Sequence, residues 1–172
     1  WTWIPAFVAA SLSAQTGNSV AATSPEASLL AFGVIAVGGP ACVWGGLVSD
    51  RIGRERLVTW AMAASGACAL LIGATFGRSL WLLVPVALVW GFFVIADSAQ
   101  FSVLVTESVP PHAVGTALTI QTSLGFLLTT FSIQAVPPVV RAVGWQFAFP
   151  MLALGPVLGI WSIRRLVRTR GR

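Results

Sequence analysis

The chain has 172 residues, of which 56% are hydrophobic and 9% charged, and its formal net charge is +5. Soluble domains carry about 25% charged residues, so this composition excludes a soluble globular domain and places the chain among polytopic membrane proteins. Every basic residue is Arg, and the arginines stand beside apolar runs rather than on a polar face, which argues against a nucleic-acid-binding surface.

A membrane-spanning helix needs roughly 20 mostly apolar residues. Trp1 to about Ala14 is apolar but shorter than that, and it reads as the end of a truncated first span. The chain opens on Trp rather than Met, and no basic region precedes this run, so it is not a signal peptide. Gln15 to Glu26 is a polar Ser/Thr/Asn loop, and a second span follows over about Ala27 to Val48. Residues Gly46 to Arg56 then read GLVSDRIGRER, which predicts a short polar turn at one membrane face. The third span covers about Leu57 to Phe76, Gly77-Arg78-Ser79 is a tight turn, and the fourth covers about Leu80 to Val105. Pro110-Pro111 and Pro137-Pro138 are predicted to interrupt helices, because proline lacks the N–H and restricts the residue before it. They bracket a fifth span over about Ala113 to Val136, and a sixth runs from about Trp145 to Leu166. The expected fold class is therefore all-α: one transmembrane domain over 1–172, a polytopic bundle of about six helices with the first truncated. Gly73-x-x-x-Gly77 and Gly155-x-x-x-Gly159 would let helices approach closely. Cys42 and Cys68 fall inside apolar runs as small buried hydrophobes; with one His and no CxxC, neither a disulfide nor a metal site is expected.

Arginine placement sets orientation. Arg51, Arg54 and Arg56 follow span two, and Arg164, Arg165, Arg168, Arg170 and Arg172 follow span six, against Arg78 and Arg141 on the other side. The positive-inside bias puts the 50s turn and the C-terminus in the cytoplasm of an integral protein, expected in the plasma (inner) membrane.

The polar residues near and within the spans are the candidates for function. Asp50 lies just past the C-terminal end of span two, where the helix dipole disfavours a carboxylate. It needs a positive partner, either a nearby arginine such as Arg51 or the free N–H groups at the start of span five. Glu107, at the end of span four on the same side, suits a pair with Arg54 or Arg51, and Gly53 suits a backbone conformation other residues resist. Asp97 lies within span four, with Gln100 three residues on along the same side of the helix. An acid near the midplane costs roughly 2.5–3.5 kcal/mol on insertion scales, so it faces the bundle interior or a water path. No basic residue lies within the spans to neutralise it, which suits a proton carrier or an acid satisfied by Ser98, Ser102 or Gln121. Gln121 sits mid-span among Thr119, Thr122 and Ser123, a cluster able to hold a substrate or to join helices. Trp90, with Trp3, is a candidate cavity wall. No nucleophile–His–acid set, metal-ligand spacing or phosphate-cradling loop is present, so neither an enzyme nor a bound cofactor is expected.

The order Gly46-x-x-Ser49-Asp50-Arg51-x-Gly53-Arg54-x-Arg56 resembles the signature loop of the major facilitator superfamily of secondary transporters. Glu55 stands where that family often has a basic residue. Glu107-Ser-Val-Pro-Pro-His-Ala-Val-Gly resembles the family's link between the fourth and fifth helices of a six-helix half, and Gly144-Trp-Gln-Phe-Ala-Phe resembles the opening of its last helix. The resemblance runs from about Ser28 onward. It implies two inverted three-helix repeats, a substrate near the midplane between two six-helix halves, and alternating access. This chain then reads as the C-terminal half, because span four lacks the intramembrane Arg common in the N-terminal half and the chain ends on a short basic tail. The partners implied are a small-molecule substrate, a coupling proton, the lipid bilayer and an N-terminal six-helix half. By the same resemblance Asp50 becomes a gate latch on the start of span five. A membrane sensor or assembly subunit that keeps the fold without transporting is the alternative.

Overall fold

A computed structural model describes residues 2–170, with side chains through Arg165. Trp1, Arg172 and the side chains of Arg168 and Arg170, which entered the orientation argument, lie outside this description. All regular structure among the described residues is helical: α1 (Ile4–Thr16), α2 (Pro25–Ala36), α3 (Gly38–Ile52), α4 (Arg54–Ala74), α5 (Leu80–Thr106), α6 (Val114–Val143), α7 (Trp145–Ala148) and α8 (Leu154–Arg170). Short 3-10 turns occupy Pro111–Ala113 and Pro150–Ala153. Five stretches are long and apolar enough to cross a membrane: Pro25–Ile52, Arg54–Ala74, Leu80–Thr106, Pro111–Val143 and Trp145–Arg165. With its 13 residues, α1 rises only about 20 Å, too short for a hydrocarbon core about 30 Å thick.

Local chemistry starts and stops these helices. Ser24 Oγ accepts from the Ala27 N–H at 3.3 Å, with Pro25 in the first turn, so α2 begins with a side-chain cap. Ser79 does the same for α5 by accepting from the Trp81 N–H. The span Pro25–Ile52 is broken at Val37 into α2 and α3. Pro40 has no N–H to give the Ala36 carbonyl, so the ladder stops there. Pro150 marks a similar break between α7 and α8.

Three features differ from the sequence expectation. The polar turn expected over Gly46 to Arg56 shrinks to Gly53 alone, since α3 runs to Ile52 and α4 begins at Arg54. Gly53 has φ 89° and ψ 141°, a conformation that L side chains rarely adopt, so one residue suffices to reverse the chain. Cys42, expected to be buried, is exposed on α3, whereas Cys68 is buried on α4.

The third difference is Pro137-Pro138, which lie inside α6 and do not interrupt it. Pro137 cannot donate to the Ile133 carbonyl one turn earlier. The Trp3 indole supplies the missing bond, with Nε1 donating to Ile133 O at 3.1 Å. In lipid a freed carbonyl must find a protein donor, and here a ring from the start of α1 provides it.

The core is built around α4 and α5. α4 packs on α5, α8 and α7, while α5 also receives α2 and α3. The main apolar cluster joins Phe7 and Val8 of α1, Val34, Ile72, Leu83, Trp90 and Phe149. Close approach uses glycine: a Cβ on Gly91 would lie 2.5 Å from the Val34 carbonyl, and one on Gly73 would run into Gln146 O. The two small-residue motifs work only by halves. Gly73 and Gly159 pack against neighbours, whereas Gly155 faces open space and Gly77 ends a turn at φ 68°. α6 is the exception to this packing, with Val136 its only buried residue.

The Trp3–Ile133 bond is open to a double-mutant cycle. Trp3→Phe should lower thermal stability in lipid nanodiscs by about 1 kcal/mol. In a Pro137→Ala background the restored N–H serves Ile133 instead, so the same change should cost almost nothing. An equal cost in both backgrounds would show that the indole does not serve this carbonyl. Gly91→Ala should destabilise by about 1–3 kcal/mol, while Gly155→Ala, which meets no atom within 4 Å, should be close to neutral.

Candidate functional site: an arginine hub at one end of the bundle

Gly53 places Arg54 in the first turn of α4, facing the end of α5. Arg54 Nε donates to Glu107 Oε1 at 3.0 Å, and Nη1 donates to Gln100 Oε1 at 3.4 Å. Nη2 also lies 3.9 Å from Asp50 Oδ1. One guanidinium thus joins the end of α3, the start of α4 and the end of α5. The two carboxylates are not equivalent partners. The Glu107 side chain is 47% exposed and in direct hydrogen-bond contact, whereas Asp50 is 70% exposed and at the edge of ion-pair range. An exposed pair at that distance contributes about 0–1 kcal/mol. The bond to Glu107 is charge-assisted and of ordinary length, so it holds the geometry.

The turn itself is anchored from beneath. Ser49 is buried, and its hydroxyl donates to the Gly46 carbonyl at 2.8 Å. The Gly53 N–H caps α3 on Ser49 O at 2.9 Å. Below Arg54, Val58, Met62, Leu104 and Ile163 form a small apolar cluster that seats the hub. Above it lies a polar cavity of about 440 Å³ lined by Ser49, Asp50, Gly53, Arg54, Arg56 and Glu107, among others. Arg51 is exposed in the last turn of α3, where a cation is favoured by the helix dipole.

The candidate residues therefore fall into two groups, drawn differently from the sequence reading. Gly46, Asp50, Arg51, Gly53, Arg54 and Glu107 gather at one end of the bundle. Gln100, expected to act with Asp97, is buried and turned to Arg54 instead. Its long side chain reaches along α5 toward the helix end, a direction that spacing does not reveal. Asp50 accepts no hydrogen bond from the start of α6, and its pairing among the described residues is with Arg54 rather than Arg51.

Asp97 is half-buried on α5 and accepts from the Ser98 hydroxyl at 3.3 Å. No cation pairs with it among the described residues. Gln121 stands on α6 with Oε1 buried and without a donor. Trp90 and Trp3 both line a second cavity of about 440 Å³, largely apolar, between α6 and the rest of the bundle. No group of three His, Cys, Asp or Glu side chains that could hold a metal occurs among the described residues. The hub's reliance on Gln100 and the indole bond to Ile133 were invisible in the sequence, since both depend on contacts 46 and 130 residues apart.

No family model, curated protein or solved structure matches this chain.

The unequal weights of the two acids can be measured. Arg54→Leu leaves Glu107 and the buried Gln100 without their donor and should lower thermal stability in nanodiscs by about 1–3 kcal/mol. Asp50→Asn should change it by less than about 0.5 kcal/mol. A large loss with Asp50→Asn would show that the hub rests on Asp50 rather than on Glu107.

Proposed function

We propose that this chain is the C-terminal six-helix half of a major facilitator superfamily transporter, moving a small solute by proton-coupled alternating access. The observation that carries this reading is the GLVSDRIGRER turn folded into an arginine hub that ties two helix ends to a third. A lid of this kind at one end of a bundle is what an alternating-access protein needs: closed by polar contacts, and open to competition from water or a moving helix. The scarcely buried α6 agrees with it, because a half-transporter must leave one flank for its partner half. On this reading the hub faces the cytoplasm of the inner membrane, Asp50 is the member free to change partners, and the helices form two inverted three-helix repeats.

Asp97 has the attributes of a coupling acid: it lies within a span, is half-buried, and has no paired cation among the described residues. Gln121, with its unsatisfied carbonyl oxygen, would contribute a polar contact to the substrate path.

The test uses proteoliposomes of the complete gene product and a panel of labelled sugars, organic acids, amino acids and organic cations. At least one solute should exchange in counterflow. Asp97→Asn should retain exchange within about 2-fold but lose accumulation driven by a pH gradient by about 10-fold or more, the signature of a lost proton carrier. Normal gradient-driven accumulation by Asp97→Asn would remove the proton role. Absence of exchange across the whole panel would favour a non-transporting sensor or assembly subunit.

A further inference from the structure

The cavity between α6 and the bundle has a chemistry of its own. It is lined from α1, α2, α4, α5, α6 and the last span, and it opens past the exposed Leu128 and Thr129 of α6. Its walls include the rings of Trp3, Trp90 and Phe149, with Trp90 edge-on to Phe149 at 5.3 Å. No charged side chain lines it. Its volume of about 440 Å³ falls within the range of small-molecule sites.

Most polar groups on these walls are already engaged. The Trp3 N–H is held by Ile133 O, and the Thr129 and Ser132 hydroxyls donate back to their own helix at 2.9 and 2.8 Å. Ser65 differs. It lines the cavity from α4 and is 6% exposed, yet its hydroxyl has no hydrogen-bond partner among the described residues. A serine within a helix usually bonds the carbonyl one turn back, so this hydroxyl, reachable from the cavity, is a vacant donor.

We propose that this cavity binds an uncharged aromatic molecule whose hydrogen-bond acceptor, such as a ketone or amide carbonyl, meets the Ser65 hydroxyl. The rings of Trp3, Trp90 and Phe149 in its wall suit a planar ring. The lack of any countercharge rejects ions, because a charge buried there would be uncompensated. Binding here is independent of the transport reading and is read without flux.

Benzophenone is a suitable probe, since it is neutral, has two rings and one carbonyl, and couples to nearby C–H bonds on irradiation. The protein in lipid nanodiscs is irradiated over a concentration series and the attachment sites are mapped by mass spectrometry. Labelling should saturate and concentrate around Ser65, Trp90 and Phe149. Ser65→Ala should weaken it about 2- to 10-fold, the worth of one hydrogen bond. Ser132→Phe, which fills the cavity from α6, should abolish it. 4-Benzoylbenzoate, the same molecule with a carboxylate, should label these sites at least about 10-fold less. The proposal fails if labelling does not saturate and spreads over the exposed Phe126, Leu127 and Phe131 of α6, which would mean partition into lipid. It also fails if Ser65→Ala labels like the wild type, or if the carboxylate binds as well as the ketone.

Discussion

A backbone carbonyl in hydrocarbon has no water to turn to, and that constraint organises this molecule. The chain carries prolines in or beside nearly every span, and each one removes a donor. At Pro40, Pro150 and Pro137 the structure supplies an answer, whereas Pro85 lies within α5 without breaking it. Where the ladder can be broken, at Val37 and at Pro150, the helix stops and restarts within the same span. Where it cannot, inside α6, an indole from the start of α1 takes the place of the lost N–H. That bond ties α6 to α1 beside an aromatic cluster in which Trp145 and Phe149 contact Trp3 and Phe7. α1 is thereby held to α6 and to the start of the last span, although it is too short to cross the membrane.

Against that fixed frame, the polar residues divide by how completely they are satisfied. Arg54 donates to Glu107 at 3.0 Å and, in a longer bond of 3.4 Å, to Gln100, so breaking them costs stability directly. Asp50 is mostly in solvent and holds Arg54 only loosely, so it can exchange partners at little cost. Asp97 has a neighbouring hydroxyl but no paired cation among the described residues. A gradient of commitment, from Glu107 through Asp50 to Asp97, separates groups that hold the architecture from groups free to change state.

The spans were legible because apolar run length is a direct physical requirement of the bilayer, and a run of 21 to 33 residues leaves few alternatives. The boundaries were less so. A polar stretch reads as a loop, yet Ser49 to Ile52 and Arg54 to Arg56 remain helical because helix ends accommodate charged side chains and Gly53 alone turns the chain. Pro137-Pro138 read as a break because the compensating donor lies 130 residues away. Gln100 was grouped with Asp97 by helical spacing, but the side chain follows Arg54, the one strong donor within its reach. For Pro137-Pro138 and for Gln100 the local signal was sound and a tertiary contact overrode it. The gathering of Asp50, Arg54 and Glu107 was partly legible, since all three lie at span ends on the same side.

α6 shows how a helix can face an apolar medium while carrying many hydroxyls. Thr119, Thr129, Thr130 and Ser132 each donate to the carbonyl four residues back, so none presents a free donor outward. The helix also exposes Phe126, Leu127 and Phe131. Lipid or another helical unit could cover such a surface without an electrostatic penalty. Gln121 breaks the pattern, because its amide oxygen is enclosed by protein and meets no donor. An enclosed acceptor of that kind costs about 1–3 kcal/mol, which a threonine at the same position would avoid by bonding its own helix as Thr119 does.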